Sequence, residues 1–303
     1  MHRTIVQLLM LAIMWPKCVA TYGQTITPSR LATLTKRIPA RPTHALTGSQ
    51  FAEYVSKMDA QQREQAILTE ILRGNLPDFL RKLVPVELNH SDQDKTLRAT
   101  IFVMPDYLAV GSDKDFLRIP MNLYTATAIV ARFGFVLPTR KIVDAIYKQS
   151  SYHFNPQPMP AGPQMRSTEY YRVHNQMIDE QSRARNIPVG ELVSGDKKDV
   201  VITNLLARKP DRIAIYGWHR PTGHPIQPLS IWHGARYADY SHGIRLVSDI
   251  AILNGEIRSV YEILHDYSLA KVLSDEGPIG RIWPLTNPLS SLLTIRLDSI
   301  QDR

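Results

Sequence analysis

From Ser49 the apolar positions recur three and four apart, so Phe51, Tyr54, Val55 and Met58 share one face of a helix. Asp59 followed by Gln62 has the spacing of a capping box, and Gly74 closes the run. Two short helices are therefore expected across 49–74, with a third at Pro77–Leu83. Between Val86 and Met121 the period falls toward two and β-branched residues become frequent. Ala99–Met104, Tyr107–Gly111 and Phe116–Met121 read as strands, separated by turns at Pro105-Asp106 and Gly111-Ser112-Asp113. Helical periodicity returns around Tyr124–Phe133, Thr139–Gln149 and Ser167–Ala184. Strand patterns follow at Asp199–Leu205, Arg212–His219, Pro225–Trp232 and Tyr240–Val247, then an Asn254-Gly255 hairpin and a helix at Val260–His265. No repeat of fixed period is present.

The pattern predicts an α+β fold, with N-terminal helices and short strands followed by a C-terminal, mainly antiparallel sheet. Pro156, Pro158, Pro160 and Pro163 crowd the window 153–165, which neither a helix nor a central strand tolerates. Residues 47–303 are expected to form a single α+β domain, with this window either a belt across its surface or a point of subdivision. Ahead of it, residues 24–46 are basic and rich in Pro and Thr, as in a linker. Residues 1–23 read as a signal peptide. His2 and Arg3 precede an apolar run of 11 residues from Ile5 to Trp15, broken only by Gln7. That run is shorter than the roughly 20 residues that span a bilayer, so the expectation is a secreted or periplasmic protein and not an integral membrane protein.

Composition and charge narrow the classes. The net charge of +8 suggests nucleic acid only until the charges are placed. Six of the 36 basic residues, and none of the 28 acidic ones, fall within 1–45, leaving a nearly neutral body of 30 against 28. A basic stripe with interleaved aromatics is missing from it, so nucleic acid is excluded as a partner. The single cysteine, Cys18, lies in the expected signal peptide, which removes thiolate and disulfide chemistry from the mature chain. Gly-x-Ser-x-Gly is absent, which argues against a nucleophile elbow.

The strongest local signal is four of the ten histidines, His219, His224, His233 and His242, within 24 residues. Strand alternation places Ile213, Ile215 and His219 on one side with Tyr216 and Trp218 on the other, and it puts Asp239, Ser241 and Arg245 on a shared face. Two chemistries are open for such a cluster. His219, His233, Asp239 and His242 contain enough ligands for a hydrolytic zinc site. Without metal, one imidazole oriented by Asp239 is the general base, with Ser241 or water as nucleophile. His233 and His242 are the preferred base or ligand residues, because each adjoins a glycine, Gly234 or Gly243, that lets a substrate approach. Arg245 would hold a substrate carboxylate or a developing oxyanion. Trp218, Trp232, Tyr240 and Lys198 are candidate substrate contacts. Lys197-Lys198-Asp199 otherwise reads as a charged solvated turn, and His174-Asn175 as an ordinary polar helix face.

Ser241-His242-Gly243-Ile244-Arg245-Leu246, with His233-Gly234 upstream, resembles the active-site signature of L,D-transpeptidases, which runs Ser-His-Gly-Cys, an aliphatic residue and Arg. The cysteine of that signature is missing here, Gly243 passing directly to Ile244, so the resemblance implies a protein that binds cell-wall peptides without thioester chemistry. Tyr216–His219, Pro225–Leu229 and Tyr237–Val247 are also similar to stretches of secreted bacterial proteins of unassigned mechanism. Two function classes follow. The first is a secreted hydrolase acting on a cell-envelope or extracellular polymer through a His/Asp cluster in residues 216–245. The second is a non-catalytic envelope-binding or structural protein in which Trp218, Trp232, Tyr237 and Tyr240 form an aromatic contact surface.

Overall fold

The computed structural model describes residues 33–92 and 95–280, a mixed α+β fold in which helices and strands interleave. The expected signal peptide, Cys18 and residues 24–32 lie outside the described residues. The front of the chain forms helices α1 (Gly48–Tyr54) and α2 (Ala60–Leu72). The Asp59 carboxylate accepts the Gln62 backbone N–H at 2.8 Å while the Gln62 side chain takes the Asp59 N–H, which closes the expected capping box. Helices α3 (Leu123–Phe133) and α4 (Arg140–Gln149) follow two hairpins. In α3, Leu123, Ala126, Ile129, Val130 and Phe133 are buried, the apolar stripe that its spacing predicts. Helices α5 (Thr168–Ala184) and α6 (Val260–His265) complete the described set.

The larger sheet joins the two halves of the chain. Its path runs β1 (Val84–Asp92), β2 (Lys95–Val103), β12 (Val247–Leu253) and β13 (Glu256–Ser259), with β5 (Phe135–Val136) paired to β12; β3 (Ala109–Ser112) pairs with β4 (Asp115–Arg118) and β6 (Tyr152–His153) with β7 (Val193–Ser194) in two small separate sheets. The early strands expected from the pattern are thus part of the same sheet as the late ones, since β2 hydrogen-bonds to β12 across almost 150 residues of sequence. Asn254 and Gly255 take positive φ values of 50° and 87° in the β12–β13 hairpin, as a type I′ turn requires. One apolar cluster, from Ile38 to Ile279, draws on both sides of the proline-rich window. Burying each of its Leu, Ile or Phe side chains contributes about 1.5–3 kcal/mol.

The basic segment expected as a linker is docked over 33–46. Ile38 is buried, and the Arg41 guanidinium donates to Asn75 Oδ1 at 3.1 Å and to the Gly111 carbonyl at 2.9 Å. The proline-rich stretch crosses Tyr240, whose hydroxyl accepts the Met159 N–H at 2.7 Å. Among the described residues no helix is long and apolar enough to cross a membrane.

Candidate functional site

A smaller sheet carries most of the chemistry. Its order is β10 (Pro225–Ser230), β9 (Ile215–His219), β8 (Lys198–Val200) and β11 (His242–Gly243). Pairing sets Lys198 opposite His242 and Gly217, and Asp199 opposite Gly243 and Tyr216. Paired residues share a face, so Lys198 and His242 belong to one side of the sheet and Asp199 and Tyr216 to the other.

The alternation expected for Arg212–His219 fails at Gly217 and Trp218, whose φ values are 103° and 54°. A left-handed backbone is uncommon for a bulky side chain, and here it re-aims the end of the strand. Tyr216 and His219, predicted on opposite sides, meet the same carboxylate: Tyr216 Oη donates to Asp144 Oδ1 at 2.9 Å and His219 Nε2 lies 3.0 Å from that atom. Tyr147 stacks on the His219 ring at 4.4 Å. His219 is thus satisfied by α4 and takes its partner from outside the expected cluster.

Around His242 the expected strand Tyr240–Val247 is a turn that leads into the two residues of β11. Asp239 makes the turn by accepting the Ser241 N–H at 2.8 Å and the Ser241 hydroxyl at 2.6 Å on Oδ1, a local bond that competes with extended backbone. Its Oδ2 accepts the Tyr237 hydroxyl at 3.0 Å and lies 3.9 Å from His242 Nε2. His233 stacks on Tyr237 at 3.9 Å and stands 6.2 Å from His242, ring centre to ring centre. Of the six predicted catalytic residues, His233, Asp239, Ser241 and His242 are neighbours here, and His219 and Arg245 take their partners elsewhere.

The electrostatics follow from burial. Desolvation pushes the fully buried His242 down to about 4, against the opposing pull of Asp239, and it lowers the half-buried His233 as well. Burial alone would raise Asp239, but His242 and the two bonds from Ser241 hold it below the usual carboxylate range. At neutral pH the site therefore contains an ionised carboxylate and two neutral imidazoles. Among the described residues neither nitrogen of His242 has a hydrogen-bond partner.

Other expected roles are not supported by placement. Ser241 is buried with its hydroxyl committed to Asp239, so no imidazole activates it. Arg245 is fully buried; it donates to the carbonyls of Met104 at 3.1 Å and Val193 at 2.8 Å and lies 4.3 Å over the Tyr107 ring, away from any substrate-facing surface. Trp218 and Tyr240 are interior, leaving Trp232, 80% exposed, and the half-buried Tyr237 as the surface members of the aromatic set. Gly243 leaves room for protein and not for substrate, since a Cβ there would stand 2.5 Å from the Tyr107 ring. Among the described residues no three His, Cys, Asp or Glu side chains are grouped as a metal ion needs, so the zinc alternative finds no ligand set.

Several polar residues emerge only from the structure. Asp144 comes from α4, and nothing in the sequence ties it to His219. The Lys197-Lys198-Asp199 run is not a solvated turn. Lys197 is buried and donates to the Tyr240 carbonyl at 2.7 Å and to His174 Nδ1 at 3.2 Å, with burial pulling it down to about 8. Asp199 accepts the Tyr107 hydroxyl at 2.8 Å and is pushed up to about 6 by burial. His174 and Asn175 are buried as well, in place of the expected polar helix face, because α5 packs them against Lys197 and Arg118. Lys-Lys-Asp beside a strand was the available signal; charge run alone reads as surface. No family model, curated protein or solved structure matches the chain.

Proposed function

We propose that the protein is a metal-independent hydrolase whose site is His233, Tyr237, Asp239, His242 and Lys198. The observation that carries this reading is His242, a fully buried ring with both nitrogens unpartnered and an ionised carboxylate 3.9 Å away. Leaving a buried polar group unpaired costs about 1–3 kcal/mol, so the ring is held ready for a partner that arrives from outside. His233, neutral and half-exposed, is the general base that takes a proton from water. Asp239 stabilises the imidazolium that forms, and His242 receives a polar group of the substrate. Ser241 supports Asp239 and is not the nucleophile. The substrate is an envelope or extracellular polymer, in keeping with the export expected from the N-terminal sequence and with the Ser-His-Gly resemblance.

One observation favours a second reading, a non-catalytic envelope-binding protein: Trp232, beside His233, projects into solvent. A screen of the purified full chain against peptidoglycan, peptides, esters and polysaccharides separates the two. The hydrolase reading expects turnover that survives a chelator and is lost in His233→Ala. Turnover abolished by the chelator, or retained at the wild-type level in both His233→Ala and His242→Ala, overturns it. Retention of a polymer without turnover supports the binding protein.

A further inference from the structure

Two adjacent lysines on β8 differ in what they touch. Lys197 spends its ammonium on the Tyr240 carbonyl and His174. Lys198 has no hydrogen bond or ion pair from Nζ among the described residues; its ammonium lies 5.3 Å over the Trp218 ring, and the side chain is half-buried. An ammonium has three donors, and a cation–π contact uses none of them in a directional bond. The one carboxylate that acts on it, Asp239, is occupied by Tyr237 and Ser241. Directly opposite on β11 stands His242, fully buried and unpartnered. A neutral imidazole carries one N–H, which either nitrogen can present because neither is committed.

These are two donors with nothing to receive them, one of them charged, on the same face of paired strands. Resting on the hydrolase reading above, we propose that Lys198 and His242 together seat a terminal carboxylate of the substrate, so that the site takes the carboxyl end of a peptide. The charge count selects a monoanion. Either ligand meets the ionised Asp239, but a carboxylate adds one negative charge against the one ammonium without a hydrogen bond, whereas a phosphate monoester adds about −1.5 to −2. Shape selects a terminus. His242 has no exposed surface, so a ligand reaches it only as its cover opens, and a slim chain end asks for less opening than a carboxylate borne on a sugar ring. Arg245, the cation that the sequence pattern offered for this task, is committed to backbone carbonyls elsewhere.

The test uses the full chain with 15N-labelled histidine, the His242 ring signals being assigned from His242→Asn. N-acetylglycine, N-acetylglycinamide, inorganic phosphate and glucuronate are titrated separately. The expected result is a saturable shift of the His242 signals by N-acetylglycine, with the amide, phosphate and glucuronate each at least tenfold weaker. Lys198→Met, which keeps the stem over Trp218, is expected to weaken N-acetylglycine at least tenfold with an unchanged melting temperature, and Lys198→Arg to restore part of the loss. Equal binding of acid and amide, tighter binding of phosphate or glucuronate, or an unaltered affinity in Lys198→Met overturns the assignment. Binding is read here without turnover. Intact carboxylate selectivity in a protein that hydrolyses nothing would sink the hydrolase reading alone, and turnover dependent on His233 without carboxylate selectivity would sink this inference alone.

Discussion

His219 with Asp144 and His242 with Asp239 are the same two residue types, and both imidazoles are buried, yet they are built differently: Asp144 is partly exposed and Asp239 is not. The first pair closes at 3.0 Å, Tyr216 donates to the same carboxylate oxygen, and Tyr147 covers the imidazole. The second stands open at 3.9 Å, its carboxylate satisfied by Ser241 and Tyr237 while the imidazole has no hydrogen-bond partner among the described residues. A saturated pair holds β9 against α4 and leaves nothing over for a ligand. An unsaturated pair carries an energetic cost that the free protein keeps, which is the physical mark of a place where something binds. Histidine count alone does not separate the two; the list of what each ring touches does.

The largest expected effect breaks the comparison at the proposed base. His233→Ala lowers kcat by about 10²–10⁴ on whichever polymer the screen identifies, the range for loss of a general base. His219→Ala leaves kcat within about threefold, because the closed pair takes no part in the chemistry. His242→Ala falls between them, costing about tenfold to a hundredfold in kcat/KM, as loss of one hydrogen bond to a charged substrate group does. Steady-state kinetics on the three variants checks the order; a kcat that falls further in His219→Ala than in His233→Ala exchanges the roles assigned to the two pairs.

Stability should rank the pairs the other way. Asp144→Ala strands the buried His219 ring and the Tyr216 hydroxyl together, at a cost of about 1–3 kcal/mol for a group left unpaired, read as a lower denaturant midpoint. His242→Asn removes a ring that is already unpaired and should cost less. A midpoint shift larger in His242→Asn than in Asp144→Ala would show that the open pair is the structural one.

The sequence was most legible where a local rule decides the backbone. Asp59 with Gln62 closed its capping box, Asn254-Gly255 formed its turn, and the stripe of α3 faced the core. The grouping of His233, Asp239 and His242 was also readable, since they lie within ten residues of one another. What was not readable depended on partners distant in sequence or on strain. Asp144 reaches His219 across 75 residues. The positive φ of Trp218 upsets the face alternation of β9, which a bulky aromatic gives no reason to expect. Lys197 and Asp199 look solvated because a charge run usually is, and only the packing of Tyr107, His174 and Tyr240 around them reverses that.

A smaller effect sharpens the comparison through pH. His242 and His174 are held neutral by burial, down to about 4 and about 2, below the ordinary histidine value of 6.5. The unfolded chain binds more protons than the folded one between those values and 6.5, so both contributions are complete above pH 6.5. That of His242 is lost as the pH falls through about 4. Asp196 and Asp199, each raised to about 6, and Glu64, raised to about 7, run the other way: their contributions are present at acid pH and are lost as the pH rises through those values. His242→Asn therefore makes stability fall less steeply between pH 6.5 and 4, by up to one proton in slope, about 1.4 kcal/mol per pH unit. Urea midpoints across that window measure it, and an identical slope in the variant would mean that the His242 ring is not held neutral.

The smallest expected effect concerns the aromatic that sits beside the open pair and belongs to neither. The Trp232 ring is 80% exposed, and its backbone is anchored independently, the carbonyl accepting Arg212 Nη1 at 2.6 Å. Trp232→Ala removes surface and no buried contact, so stability should change by no more than about 0.5 kcal/mol. Under the hydrolase reading kcat stays within about twofold, because the residues that touch the reacting group are unaltered, and only KM for a long polymer rises as an outlying contact is lost. Under the binding reading the order of importance inverts: polymer retention falls at least tenfold in Trp232→Ala and is untouched in His242→Ala. Co-sedimentation of both variants with the same insoluble polymer decides it, since retention lost with His242 and kept without Trp232 leaves the unpartnered imidazole as the feature on which recognition turns.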